Sequence, residues 1–119
     1  MLLLGHNLGL LGNAQQAPRV PAALAEVAEP GARLIGSGLD PHATSDPEHR
    51  RYHEANRRLG QLPGQVSIRV RHGRLATPFF DYLFCSEAEL RDLVDASPWR
   101  LAELLPEPGG SYAAIMALR

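Results

Sequence analysis

The chain opens on four apolar residues, Met1-Leu2-Leu3-Leu4, and stops abruptly at Gly5. No other stretch constrains the fold as strongly. A short unbroken apolar run ending at a glycine is the pattern of a strand buried on both faces, the kind found inside a parallel sheet. It predicts a core strand at Met1–Leu4 with neighbours on both sides. A loop follows over His6–Gln16. The segment PRVPAALAEVAE, Pro18 to Glu29, is rich in Ala, Leu and Glu and predicts a helix with Pro21 in its first turn and Pro30-Gly31 as its stop. ARLIGSG then reads as a second short apolar strand. Strand, helix and strand in that order make a βαβ unit, which requires parallel strands and a right-handed crossover.

The next segment changes character. Asp40-Pro41 makes a turn, and Ser45 or Asp46 can cap a helix that starts at Pro47-Glu48 and ends at Gly60. This helix is dense in Arg and His, so most of it faces solvent or a polar cleft. QVSIRVRHG alternates, with Val66, Ile68 and Val70 on one face and Ser67, Arg69 and Arg71 on the other, and predicts one half-buried strand. TPFFDYLFCS reads as another strand, aromatic and apolar. Ser86 followed three residues later by Glu89 forms a capping box for EAELRDLVDAS. WRLAELL and SYAAIMAL, joined by PEPGG, close the chain as an antiparallel hairpin. The 119 residues fit one small domain of α/β class.

Composition narrows the function classes. The formal charge is −1, so no overall basic field points to nucleic acid or an anionic membrane. All 12 basic residues are Arg. Cys85 is the only cysteine, which excludes an internal disulfide and fits a reducing compartment. The N-terminus lacks a positive region and a cleavage context, and no stretch approaches the ~20 apolar residues of a membrane span. The expectation is a cytoplasmic protein with no membrane partner.

The order of elements resembles the C-terminal half of a class I S-adenosylmethionine-dependent methyltransferase. Three stretches carry the likeness: LLLGHNLGLLGN after a core strand, PGARLIGSGLDP after a helix, and the ending WRLAELLPEPGGSYAAIMAL. The stretch YHEANRRLGQLPGQVSIRVRHGRLATPFFDYLF is similar to the segment between the fifth and sixth strands of such enzymes, which often carries substrate-facing residues. The resemblance implies a partial doubly wound Rossmann-like sheet with a parallel βαβ start and an antiparallel C-terminal hairpin. Met1–Leu4 would then be the family's fourth strand, beside a first strand that is not here. The family's glycine-rich loop and the acidic residue that grips the ribose are also absent, and GHNLGLLG, spaced G-x3-G-x2-G, does not replace them. The expectation is an incomplete domain over residues 1–119, whose Met1–Leu4 edge awaits a missing N-terminal half or a second copy.

Ligands of open α/β sheets sit at the carboxyl ends of the strands. The resemblance therefore places Asn7, Leu8 and Gly9 against the methionine or ribose part of S-adenosylmethionine; the competing reading is an ordinary turn in which Asn7 bonds its own backbone. Ser37, Gly38 and Asp40 lie on the same rim. Tyr52 and Asn56, four apart on the Arg- and His-rich helix, are a candidate substrate-facing pair. Arg69 and Arg71 share a strand face on which two guanidinium forks would suit a carboxylate or phosphate, against the alternative of solvated surface arginines. His49 and His53 are four apart, but no Glu stands between them in the H-E-x-x-H manner and Arg50 and Arg51 adjoin them, so no metal is expected. Cys85 reads as a small buried residue.

The resemblance implies methyl transfer to a small molecule, with S-adenosylmethionine as cofactor and a small-molecule acceptor as partner. Such chemistry is an in-line displacement in which the protein mainly aligns and desolvates, so the lack of a catalytic constellation does not oppose it. The alternative is a non-catalytic α/β binding or scaffold module completed by a partner chain. A stand-alone enzyme using Tyr52, Asn56 or His53 is a third reading.

Overall fold

The computed structural model describes residues 1–119. A four-stranded sheet forms its centre: β1 (Leu2–Leu3), β2 (Arg33–Leu39), β7 (Trp99–Pro106) and β8 (Ser111–Leu118), in the order β1-β2-β8-β7. β1 and β2 run parallel, with Leu2 opposite Ile35 and Leu3 opposite Gly36. β8 lies antiparallel to β2 from Arg33/Ala117 to Leu39/Ser111, and β7 lies antiparallel to β8. The closing hairpin thus inserts its second strand beside β2 and leaves β7 at the edge. A break in register between Leu101 and Glu103 bends β7. This is an open, mixed α/β sheet, as the element order predicts.

Period-two alternation divides the sheet into two unequal faces. Leu34, Gly36 and Gly38 of β2 and Tyr112, Ala114 and Met116 of β8 point to one side and are all buried. Together with Leu101 and Trp99 they form the floor of the core, onto which Leu8, Leu11, Ala17, Leu83, Cys85, Leu90 and Val94 pack. The opposite side carries Ile35, Ala113, Ile115 and Ala117, which are only half-buried. Leu2, aligned with Ile35 on that side, is 64% exposed.

Two helices cover the buried face. α1 (Arg19–Glu26) places Pro21 inward and Val20, Leu24 and Ala25 against the core. Trp99 Nε1 donates to the Pro21 carbonyl at 2.8 Å, tying this helix to β7. α1 stops at Glu26, three residues short of the predicted end, because Val27 already leaves helical geometry ahead of Pro30-Gly31. α3 (Glu87–Asp95) buries Leu90 and Val94, and its start is the predicted capping box: Ser86 Oγ accepts from Glu89 N–H while Glu89 accepts from Ser86 N–H.

The segment between β2 and α3 forms a separate layer. α2 (Pro47–Arg58) starts at Asp46, whose carboxylate accepts from Glu48 N–H at 2.8 Å. β3 (Gln65–Ile68) pairs antiparallel with β6 (Phe80–Leu83). The single strand predicted over Gln65–Gly73 does not exist. Pairing ends at Ile68/Phe80, and the chain hands over to a second, narrower hairpin of β4 (Arg71–His72) and β5 (Leu75–Ala76). The handover is stitched by Val70 N–H to Thr77 Oγ1 at 3.0 Å and Thr77 N–H to the Val70 carbonyl at 2.9 Å. Alternation alone cannot see this break, since both hairpins share its phase; Val70, counted as inward-facing, is 59% exposed because nothing covers it.

β1 is also shorter than predicted, and its only strand neighbour in this chain is β2. Met1, Leu2 and Leu4 are exposed at 41%, 64% and 55%. No helix is long and apolar enough to cross a membrane.

Candidate functional site

Because β1 and β2 are parallel, the loops leaving both emerge at one rim of the sheet, and β8 begins there. The loop after β1 is held to this rim from three sides. His6 N–H donates to Ser37 Oγ of β2 at 2.9 Å, the His6 ring lies 3.3 Å from Ser111 Oγ of β8, and Tyr82 of β6 donates its hydroxyl to the His6 carbonyl at 2.6 Å. His6 itself adopts φ 62°, the left-handed region that non-glycine residues enter only when their surroundings enforce it. Asn13 Nδ2 to Asp81 Oδ2 at 2.8 Å adds a further link between this loop and β6.

The loop is not free turn, as its composition suggests. Asn7–Leu11 coil into a short 3₁₀ helix that sends Leu8 and Leu11 into the core. Leu8 lies directly on Gly36 of β2, where a Cβ would come within 2.5 Å of its side chain. Gly9 is covered by the Tyr82 ring, which occupies the place a Cβ would need. Gly36 and Gly9 are therefore glycines of close approach. Two of the three residues expected against the cofactor are thus enclosed by the chain's own packing. Leu8 is a core residue, 2% exposed, and the backbone N–H and carbonyl of Gly9 are spent on the His6 carbonyl and Gly12 N–H. Asn7 remains at the surface, with its Oδ1 3.3 Å from the Tyr82 hydroxyl.

Beside this rim, a cavity of about 630 Å³ opens where β2 ends. Leu39, Asp40 and Pro41 form one wall, Pro63, Gly64, Val66 and Phe84 another, and α2 supplies Glu48, His49, Tyr52 and His53. Its size falls in the range of small-molecule sites. Most of its polar groups are engaged within the protein. Asp40 accepts from His42 N–H at 2.9 Å, Thr44 Oγ1 and His49 Nδ1 are 2.8 Å apart, and Glu48 is paired with Arg51. Tyr52, 48% exposed, is one of the expected substrate residues and lines this cavity.

Asn56 does not. It is 5% exposed, and its Nδ2 donates to the carbonyls of Pro63 and Gln65 at 2.8 and 2.9 Å. It clips α2 to the chain entering β3, so the polar pair expected with Tyr52 does not form: Asn56 is enclosed with its two carbonyl partners while Tyr52 stays at the cavity. Arg69 and Arg71 are also away from the cavity. The break at Ile68 puts them in different structures: the Arg69 guanidinium sits 4.8 Å over the Phe79 ring, and Arg71 is exposed on the β4–β5 hairpin. They form no fork.

Two residues sequence reasoning gave little weight are central to the geometry. Tyr82 pins the inserted layer to the loop after β1; burial raises its phenol above the ordinary value. His53 lines both the cavity and a small polar depression on its far side with His42, Thr44, Arg50, Glu54 and Arg57. Burial, His42, Arg57 and His49 lower the His53 pKa, against the opposing pull of Glu89. A signal for His53 was present in its spacing of four from His49, but that spacing pointed toward metal chemistry. Cys85 is buried as expected: burial pushes its thiol up to about 11, and Tyr112 donates to its carbonyl at 2.7 Å.

The rim offers the Asn7 amide and the His6 ring as polar groups, and residues 5–13 carry no carboxylate.

No protein-family model matches the chain, and no curated protein matches it in sequence. Solved structures do. A SAM-dependent methyltransferase from Bacteroides fragilis, in complex with S-adenosyl-L-homocysteine, superposes with a TM-score of 0.72 at 16% identity, over 98% of this chain and 46% of that one. The CcbJ methyltransferase from Streptomyces caelestis gives 0.64 at 11% identity, over 99% and 59%. A SAM-dependent methyltransferase from Methanosarcina mazei gives 0.60 at 16%, over 98% and 57%. The chain spans about half the length of these structures. At such low identity the likeness shows the fold alone, and that fold is about half of a SAM-dependent methyltransferase, in agreement with the resemblance of its sequence to the C-terminal half.

Proposed function

We propose that this chain is the acceptor-side half of a methyltransferase that moves a methyl group from S-adenosylmethionine to a small molecule. The observation that carries this reading is the strand order β1-β2-β8-β7 with a reversed β8, superposing over 98% of the chain on a methyltransferase crystallised with S-adenosyl-L-homocysteine. When bound, the sulfonium supplies an electrophilic methyl group. Asn7 and His6 meet one side of it from the rim. The cavity beside α2 holds the acceptor, with Tyr52 and the apolar walls excluding water. The half-buried second face of the sheet and the free edge of β1 take the remaining polypeptide, whether a preceding half or another chain; a doubly wound sheet is covered on both faces.

Isothermal titration with S-adenosylhomocysteine tests this on the 119-residue chain and on Asn7→Ala. Saturable binding that Asn7→Ala weakens severalfold supports the reading. Absence of binding at millimolar ligand removes the cofactor from this chain.

The exposed Leu2, aligned with half-buried Ile35, favours one other reading, a non-catalytic module completed by a partner chain. Its mark is a dimer stable at low micromolar concentration in sedimentation, lost when Leu2→Glu charges the β1 edge. A monomer with cofactor affinity argues for the enzyme.

A further inference from the structure

Among the polar side chains lining the α2 cavity, hydrogen bonding leaves two unspent. Asp40, Thr44, Glu48 and His49 are each bonded or paired within the protein, whereas the Tyr52 hydroxyl and the His53 imidazole have no such partner. His53 touches the His42 ring edge-to-face at 5.9 Å, a packing contact that leaves its nitrogens available. His42 is in turn held 3.3 Å from Glu89 of α3.

The charges around the ring decide what it can receive. No arginine lines the cavity, so an anionic head group has no counter-ion there; Arg50 and Arg57 lie on the far side of His53, where Arg57 is paired with Glu54. Of the two carboxylates on the wall, Glu48 is paired with Arg51 and Asp40 accepts from His42 N–H, so the side chains left without a partner are the neutral ones. What remains is a neutral imidazole, kept so by burial and by His42, Arg57 and His49 against Glu89, among apolar walls of Leu39, Pro41, Val66 and Phe84. A neutral imidazole assists loss of a proton far better from a phenol, whose ordinary pKa lies about 3–4 units above that of imidazole, than from an aliphatic alcohol, which is much less acidic.

We propose that the acceptor is a phenol-type hydroxyl on an apolar body and that His53 takes its proton, with Tyr52 as the second hydrogen-bonding group. This rests on the methyl-transfer reading above. In the transfer the acceptor oxygen gains its bond to the methyl carbon. The carbon–sulfur bond of the sulfonium donor breaks with its electron pair on sulfur. The hydroxyl proton passes to His53, leaving an imidazolium.

The probe is 4-nitrophenol, whose absorbance distinguishes phenol from phenolate, titrated without cofactor into the 119-residue chain, His53→Gln, Tyr52→Phe and the hairpin control His72→Gln. The expected result is binding to the wild type with a larger phenolate fraction than in buffer at the same pH, and a rise in the His53 titration midpoint by NMR. His53→Gln weakens binding about tenfold and abolishes the phenolate excess, Tyr52→Phe weakens it less, and His72→Gln changes nothing. No binding, or binding unchanged in His53→Gln, overturns the proposal. Thermal melts of each variant separate loss of the site from loss of the fold. S-adenosylhomocysteine titration of the same samples keeps the two readings apart. A chain that binds the cofactor but ignores nitrophenol loses only this inference. One that binds nitrophenol through His53 but not the cofactor loses the methyltransferase reading and keeps a phenol site.

Discussion

The sheet and the layer inserted between β2 and α3 are built on different principles, although they meet along the whole rim. The sheet is held by burial. Trp99, Leu34, Leu101, Ala114 and Met116 of the strands and Leu90 and Val94 of α3 are all almost fully shielded, and Leu34, Met116 and Leu101 stand in register across β2, β8 and β7. The inserted layer hides very little apolar surface. Leu83 and Cys85 are its core side chains, α2 buries only Asn56, and the eleven residues Arg69–Phe79 are exposed without interruption. What positions it is a few directed hydrogen bonds: Tyr82 to His6, Asn13 to Asp81, and Asn56 to the carbonyls of Pro63 and Gln65. Apolar burial is strong and tolerant of direction. A small set of polar contacts is weaker but fixes angle, which is what a cavity wall needs and what lets the wall vary without unravelling the sheet.

The comparison can be broken most sharply at its two extremes. Trp99→Ala should destabilise the chain by about 3–5 kcal/mol in urea unfolding, since it empties a fully buried site and deletes the bond to Pro21. If it costs less than 1 kcal/mol, the sheet is not the stabilising unit. A milder test raises the pH. The buried Cys85 thiol titrates at about 11 against an ordinary 9.0, so the folded state favours the protonated form. Its contribution is fully present below pH 9 and is lost as pH rises from 9 to 11, by about 2–3 kcal/mol. The Tyr112 hydroxyl is shifted up by the same burial and acts in the same direction. Cys85→Ala should flatten the lower part of that decline in pH-dependent melts.

Asn56→Ala should cost about 2 kcal/mol, because two buried carbonyls lose their donor. Its informative readout is amide exchange: Gln61 to Gln65 should exchange faster while β2 and β8 stay protected. Uniform loss of protection would mean that sheet and insert unfold as one body. At the small end, Leu75→Ser on the hairpin, with Leu75 75% exposed, should change stability by less than about 0.5 kcal/mol. A larger loss would show that the hairpin packs on something in solution.

Much of this architecture is legible in the amino-acid sequence. The βαβ start, the Asp46 and Ser86 caps and the closing hairpin all rest on signals confined to a few neighbouring residues, where backbone geometry and capping chemistry act locally. The candidate site was only partly readable. Tyr52 could be singled out as a polar-face residue and does line the cavity. Asn56 carried the same credentials and turned inward, because whether an amide faces a pocket or two carbonyls depends on where Pro63 and Gln65 happen to pass. Leu8 and Gly9 looked like loop and proved to be the plug between Gly36 and the Tyr82 ring.

The sequence by itself determined which residues make helices and strands, where the helices start, and that one strand pair had to run parallel, since these follow from periodicity and from bonds between near neighbours. The tertiary structure alone decided that the alternating run breaks at Ile68, that Tyr82 clamps the loop after β1, and that His53 stands unpaired beside an apolar cavity. Those outcomes depend on contacts between residues dozens of positions apart. Such contacts leave no local period in the chain, because they are selected by which surfaces remain to be covered once the sheet has formed.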